Sequence, residues 1–343
     1  MSQAADPPLS TADFRKSTSP LFPPEFGDLA RLARRSGLEP NSVELLPGDV
    51  GRRRYLRLRR KGDGSVLGVA YPPEELDSRR RWLEARAVLQ PHVRVPRVIA
   101  DDGAGNQIVE DLGSEDLAAR LAARPEAREE ELGHAVAAAA AIAAIPDPGI
   151  NPAFDFALLR RELELAREAV FDLYLASPLS PEHREVHDRW ADALCREILE
   201  HPQALCHRDF HGNNLFPLGQ EVGAIDFQDL RMGPDSYDVA SLLWERTTLA
   251  WMTPELSGEM VARFAGRRGV EPEGLRRRLD RVLLQRAWKV CGTFARAVAQ
   301  GRGEVYRRYF PGEIALVGRL LGGPAEERAF GGVYAARLAP LLS

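Results

Sequence analysis

His207, Asp209 and Asn214 stand in the order H-x-D-x-x-x-x-N, and Asp226 follows as I-D-F at the end of an apolar run over residues 222–225. These types at this spacing suit phosphoryl transfer, which needs an acceptor hydroxyl in line with the γ-phosphorus and divalent metal on the phosphate oxygens. The carboxylate of Asp209 would orient the hydroxyl and take its proton. The amide oxygen of Asn214 offers a neutral metal ligand, and Asp226 offers the carboxylate that Mg²⁺ requires beside phosphate and water. His207 is expected to brace the loop by hydrogen bonds. His211, Gln228 and Asp229 flank these groups and are candidates for contacting the acceptor.

Taken singly, each residue has a bland explanation as a turn or strand-end polar group. Their joint pattern is more demanding. It requires two apolar strands, at residues 205–206 and 223–225, each ending in a polar loop, then a turn at Gly233 and Pro234 leading into an apolar helix with Asp238 in its first turn.

The elements that must position these groups can be read along the chain. Residues 1–22, rich in Ser, Thr and Pro, predict a loosely draped or disordered tail. A short helix over 26–36 ends at Gly37, where a left-handed cap is needed. Residues 45–71 alternate as a hairpin, with turns at PGDVG and KGDG. Gly48 and Gly51 flank a loop suited to lie over nucleotide phosphates, followed by Arg52, Arg53 and Arg54. A helix capped by Asp77 or Ser78 runs to about residue 90, and strands follow at 93–100 and 106–109. Helices are expected at 114–123, 126–145, 155–175, 181–200, 236–248, 254–267, 271–300 and 304–320.

The central motifs, with I-D-F-Q-D at 225–229 and G-P-x-x-Y-D at 233–238, resemble those of the aminoglycoside phosphotransferase and choline kinase-like superfamily. More narrowly, H-R-D-F-H with Q-R-x-x-K-V-x-G-x-F-A-R at 285–296 is similar to bacterial anomeric kinases that phosphorylate N-acetylmuramate and N-acetylglucosamine at C1. The resemblance runs from about residue 46 onward. It implies an α+β, two-lobed protein kinase-like fold: a tail over 1–22, a small β-sheet lobe over 23–112 that binds nucleotide, and a larger, mainly helical lobe over 113–343. It implies ATP or GTP with Mg²⁺ as cofactors and a small sugar as substrate. Backbone groups around Glu110 and Asp111, where the lobes join, would meet the adenine edge.

One departure is clear. Such kinases carry a lysine on the second hairpin strand to hold the α- and β-phosphates, but the strand here reads GVAY. The chain's lysines are Lys16, Lys61 and Lys289, and none falls there. An arginine from the loop, Arg53 foremost, is the expected substitute, since a guanidinium grips phosphate in a bidentate manner. Glu84 holds the position of the usual lysine partner. The basic stretch from Gln285 to Phe310, with Arg286, Lys289, Arg296, Arg302, Arg307 and Arg308, is expected near the acceptor and favours a neutral or carboxylate-bearing sugar. Aminoglycoside or other small-alcohol transfer is the alternative, and a nucleotide-binding regulator without catalysis is the third reading.

Composition closes off other classes. The 343 residues exceed a typical single core, so two domains are expected. A net charge of −4 leaves no basic footprint for nucleic acid. No apolar run approaches a membrane span, no signal-peptide pattern stands at the N-terminus, and no obligate protein partner is evident. Cys195, Cys206 and Cys291 lack metal-type spacing and read as idle thiols in a reducing cytoplasm.

Overall fold

The computed structural model describes residues 21–46, 52–60, 64–301, 304–338 and 341. The chain divides into two compact units. One holds the described residues through Glu75 together with Val98–Asp111; the other holds Leu76–Arg97 and everything from Leu112 onward.

In the first unit α1 (Gly27–Arg35) is followed by β1 (Pro40–Leu46), β2 (Arg54–Arg60) and β3 (Ser65–Ala70). After α2 (Leu76–Leu89), which groups with the second unit, β4 (Val98–Asp101) and β5 (Asn106–Glu110) return to complete an antiparallel sheet in the order β1-β2-β3-β5-β4. The alternation along β2 sends Leu56 and Leu58 into a core with Leu29, Leu32, Val66 and Ile108, and leaves Arg57 and Arg59 on the other face. Gly68 lets α1 lie against β3, because a Cβ there would sit 2.5 Å from Leu29 Cδ2.

The second unit contains α2, α3 (Leu117–Ala123), α4 (Arg128–Ala143) and α5 (Phe156–Arg167), which continues as a π-helical turn, Glu168–Tyr174. Next come α6 (Pro181–Leu199), β6 (Gln203–Cys206), β7 (Leu215–Leu218), β8 (Glu221–Ala224) and β9 (Arg231–Pro234), then α7 (Tyr237–Leu243), α8 (Pro254–Arg268), α9 (Pro272–Ala299), α10 (Glu304–Arg307), α11 (Phe310–Leu320) and α12 (Ala325–Leu338). Asp116, Asp155 and Ser180 each accept from a backbone N–H in the first turn of the helix that follows, whereas α2 begins at Leu76, so Asp77 and Ser78, expected to cap it, lie inside the helix. The core centres on α9, whose Trp288 is fully buried and meets Trp190, Phe330 and Tyr334 edge-on.

Some elements depart from expectation. The turn expected at Gly233 and Pro234 is part of β9, because a Cβ at Gly233 would lie 2.3 Å from the Phe154 ring and only glycine lets the strand pack there. The helix expected over 236–248 stops at Leu243, and that over 304–320 divides before Pro311 in the first turn of α11. β7 and α12 carry too little periodicity to be read. The alanine-rich α4 packs Ala135, Val136 and Ala139 inward, and no helix among the described residues is long and apolar enough to cross a membrane. The three cysteines are free and buried.

Candidate active site

Two small antiparallel ribbons assemble the site within the second unit. β6 pairs with β9 so that Cys206 faces Arg231, and β7 pairs with β8 so that Leu215 faces Ala224. The loop at 207–214 therefore leaves and re-enters the ribbons beside the loop at 225–230. The backbone N–H of Ile225 donates to the carbonyl of Asn214 at 3.0 Å, which fixes Asn214 against the residue preceding Asp226.

Both loops bend through unusual backbone. Arg208 has φ +77° and Asp226 has φ +63°, left-handed conformations that cost a residue with a side chain roughly 1–2 kcal/mol each. Asp238, buried in the first turn of α7, holds the first bend: its carboxylate accepts from the N–H of His207 at 2.7 Å and from that of Arg208 at 3.0 Å. Burial pushes its pKa up against these bonds. The bracing expected from the His207 ring takes another form, since neither ring nitrogen meets a partner among the described residues. The ring is buried edge-on against Phe210 and Phe227, so His207 contributes packing and its backbone N–H.

Asn214 folds back into its own loop, with Nδ2 donating to the carbonyl of Asp209 at 2.9 Å and lying 3.4 Å from His211 Nε2. That arrangement commits the amide nitrogen to the loop, so the amide oxygen is the atom that could ligate a metal. Opposite, Gln228 Nε2 donates to Asp226 Oδ1 at 2.9 Å. Asn151 anchors the same loop by donating to the carbonyls of Gln228 and Leu230 at 3.0 and 2.9 Å. Gln228 is buried and its side-chain nitrogen is committed to Asp226, while its amide oxygen meets no hydrogen-bond partner among the described residues. Asp229 is half-buried in the loop, and its carbonyl accepts from Arg231 Nε.

Arg208 is the hub of a buried ionic group. Its Nη2 lies 2.7 Å from Glu162 Oε1 on α5, and Glu162 also receives Gln285 Nε2 at 2.8 Å and Lys289 Nζ at 3.2 Å from α9. These helices approach closely because Gly292 stands where a Cβ would fall 2.4 Å from Ala166 Cα. Arg286 donates to the carbonyl of Arg208 at 3.0 Å and to Ser241 Oγ at 2.6 Å. Arg286 and Lys289, expected from the sequence near the acceptor, are thus bonded to the loop at Arg208 and to Glu162 respectively. Arg302 lies outside the described residues.

Burial raises the Asp209 carboxyl, but Lys289, Arg286, His211 and Arg208 outweigh it and hold the pKa below the ordinary value, so it stays a carboxylate. Burial moves His211 the other way, down to about 4, so its ring is neutral near pH 7 and can accept or donate a hydrogen bond. Glu162 is likewise held low, because Lys289 and Arg208 overcome its burial.

The candidates in the first unit have their own partners. Arg53 lies 3.2 Å from Glu75 and 6.0 Å over the ring of Tyr71. Glu110 pairs with Val66 in the sheet, and the Asp111 carboxylate accepts from Arg57 Nε at 2.7 Å and Ser65 Oγ at 2.5 Å. The Asp111 side chain therefore ties β2 and β3 to the end of β5. Gly48 and Gly51 lie outside the described residues, as do Lys61 and residues 1–20. Glu84 forms an exposed helical pair with Arg80, the surface role open to it without a strand lysine.

Sequence reading passed over Asp238 as a hinge, Glu162, Asn151, and the chain in which Arg246 donates to Asn213 Oδ1 at 2.7 Å while Asn213 donates to Asp116 at 3.0 Å. Each partner lies dozens of residues away, and no local pattern announces it. A trace existed only for Asp238, whose G-P-x-x-Y-D setting belongs to the motif.

Residues 37–280 match a family described as "Phosphotransferase enzyme family". An N-acetylmuramate/N-acetylglucosamine kinase of Pseudomonas aeruginosa is 34% identical over 268 residues, covering 74% of this chain and 77% of the relative. A choline/ethanolamine kinase family protein from Mesorhizobium loti superposes with a TM-score of 0.60 at 16% identity, covering 90% of this chain and 99% of the other. The ADP-bound aminoglycoside phosphotransferase APH(2″)-Ib gives 0.57 at 14% identity, over 88% and 98%. Both share the kinase-like fold.

Proposed function

The chain belongs to the phosphotransferase enzyme family, and on that footing we propose that it transfers the γ-phosphate of ATP or GTP to the anomeric hydroxyl of an amino sugar of the N-acetylmuramate or N-acetylglucosamine kind, with the product feeding cell-wall recycling. The observation that carries the reading is the pairing of the two loops, which puts Asp209, His211 and Asn214 on one and Asp226 on the other with a backbone bond between them. The named relative supports the acceptor class.

Asp209, ionised among Lys289, Arg286, His211 and Arg208, is the group that orients the hydroxyl and accepts its proton. An anomeric hydroxyl is more acidic than an ordinary alcohol, so a low-pKa carboxylate activates it with less driving force lost. Neutral His211 is suited to hydrogen-bond the acceptor.

One carboxylate at Asp226 and the amide oxygen of Asn214 fit Mg²⁺, which keeps the rest of its octahedral shell for phosphates and water. When bound, the ion neutralises charge on the phosphate oxygens. The chain's own task is to hold both ligands through Gln228, Asn151 and the loop backbone.

A coupled nucleotide-consumption assay over free sugars, amino sugars, aminoglycosides and 1-O-methyl glycosides tests the reading. Free N-acetylmuramate or N-acetylglucosamine should react, and their 1-O-methyl glycosides, whose acceptor oxygen is blocked, should not. Equal rates on blocked and free sugars move the transfer to another hydroxyl. An aminoglycoside reacting where no sugar does replaces the acceptor class, and nucleotide binding without any turnover favours a regulator.

A further inference from the structure

The residue before the presumed base is not a glycine, yet its backbone sits at φ +77°. Strain of this kind persists only where surrounding contacts over-determine it, and it gathers where a side chain must be aimed. Around Arg208 the contacts come from four directions. Asp238 takes its N–H, Arg286 gives to its carbonyl, and Phe154 lies 5.4 Å under its guanidinium. Glu162 takes Nη2 at 2.7 Å.

Glu162 is the part of this cage that a loop by itself would not need. A carboxylate with only 10% of its side chain exposed has been brought against Arg208 from α5, and two further donors, Gln285 and Lys289, come from α9 to balance it. The close helix crossing at Gly292 and Ala166 makes that meeting possible. The result is a rigid link from two long helices to the peptide immediately before Asp209. An exposed surface pair would be weak and adjustable, whereas a buried, fully partnered carboxylate has one geometry.

We propose that Glu162, supported by Gln285 and Lys289, is a positioning residue for phosphoryl transfer, acting through Arg208 to fix the direction of the Asp209 carboxylate. Glu162 touches neither substrate nor nucleotide in this role. The assignment rests on the reading of Asp209 as the base and adds a second residue, some fifty positions earlier in the chain, to the machinery of the reaction.

The test is a double-mutant cycle in the full-length protein, with N-acetylglucosamine and Mg-ATP as the probe. Glu162→Gln keeps the shape and removes the charge. Arg208→Gly relieves the backbone strain and removes the side chain on which Glu162 acts. Each single variant is expected to lose at least about tenfold in kcat, since a small misplacement of a reacting group is costly, while KM for ATP stays within about twofold. The double variant should fall no further than Arg208→Gly, because the second change removes an arm already disconnected.

Multiplicative losses, or Glu162→Gln retaining wild-type kcat, overturn the proposal. A parallel rise in KM for ATP with kcat unchanged does so as well, since it assigns Glu162 to ground-state binding. If Glu162→Gln unfolds below the assay temperature, Glu162→Asp, which keeps the charge and withdraws it by one methylene, takes its place in the cycle under the same criteria. A wild type silent on every sugar is a separate result: it removes the acceptor assignment, and the cycle is then read on intrinsic ATP hydrolysis.

Discussion

The carboxylate of Asp238 lies 2.7 Å from the backbone nitrogen of His207, thirty-one residues earlier, and a second bond at 3.0 Å reaches the nitrogen of Arg208. One buried side chain therefore ties the start of α7 to the first bend of the loop at 207–214. Asp238→Ala would leave two N–H groups without an acceptor, each costing about 1–3 kcal/mol. The expected outcome is a loss of roughly 2–5 kcal/mol in chemical denaturation together with loss of turnover. Stability within about 0.5 kcal/mol of wild type would mean that solvent replaces the carboxylate.

Asp209→Asn preserves shape and removes the charge that Lys289, Arg286 and Arg208 stabilise. Turnover should fall by about 10²-fold or more, the scale of a lost general base, with nucleotide binding by calorimetry retained. Near wild-type turnover would exclude Asp209 from proton transfer.

Asp226→Ala removes the carboxylate that Gln228 orients at 2.9 Å. Affinity for Mg-ATP should drop, while affinity for ATP in the presence of a chelator should change little, because only the metal-dependent part of binding is affected. Equal losses with and without Mg²⁺ would point to a structural role. Gln228→Leu should weaken Mg-ATP binding less, since the ligand remains and only its orientation loosens.

The second unit also buries two carboxyls with raised pKa values. Burial pushes Glu245 up to about 7 and Glu313 up to about 8; the charge of Asp116 adds to the rise at Glu245, and that of Glu245 adds to the rise at Glu313. A raised acid keeps its proton in the folded state after the unfolded state has released it. Its stabilising contribution is therefore complete below the ordinary value of 4.5 and is lost as pH rises toward about 8. Glu313→Gln, which cannot ionise, should gain stability relative to wild type as pH increases through that window. Parallel Tm profiles for the two proteins would show that Glu313 is already ionised when folded. Comparing variant with wild type removes the opposing contribution of His211, whose pKa is depressed to about 4.

Much of this protein can be read from the chain alone because the relevant signals are local. The H-x-D-x-x-x-x-N spacing, the apolar segments before each loop and the helical periodicity of the C-terminal part are all set within a few residues of one another. They single out Asp209, Asn214 and Asp226 as candidates and separate a sheet-bearing N-terminal part from a helical C-terminal part. Tertiary structure alone decided what each charge in these segments is for. Arg286 and Lys289 look in sequence like a basic face awaiting a substrate, and packing of α9 against α5 engages them with the Arg208 carbonyl and with Glu162. Gln228 is bonded to Asp226 and Arg53 meets Glu75, partners that no pattern in the sequence announces. The physical reason is the same throughout: a buried charge must find a partner, and which partner it finds depends on which distant helix or strand the fold brings within 3 Å or so of it.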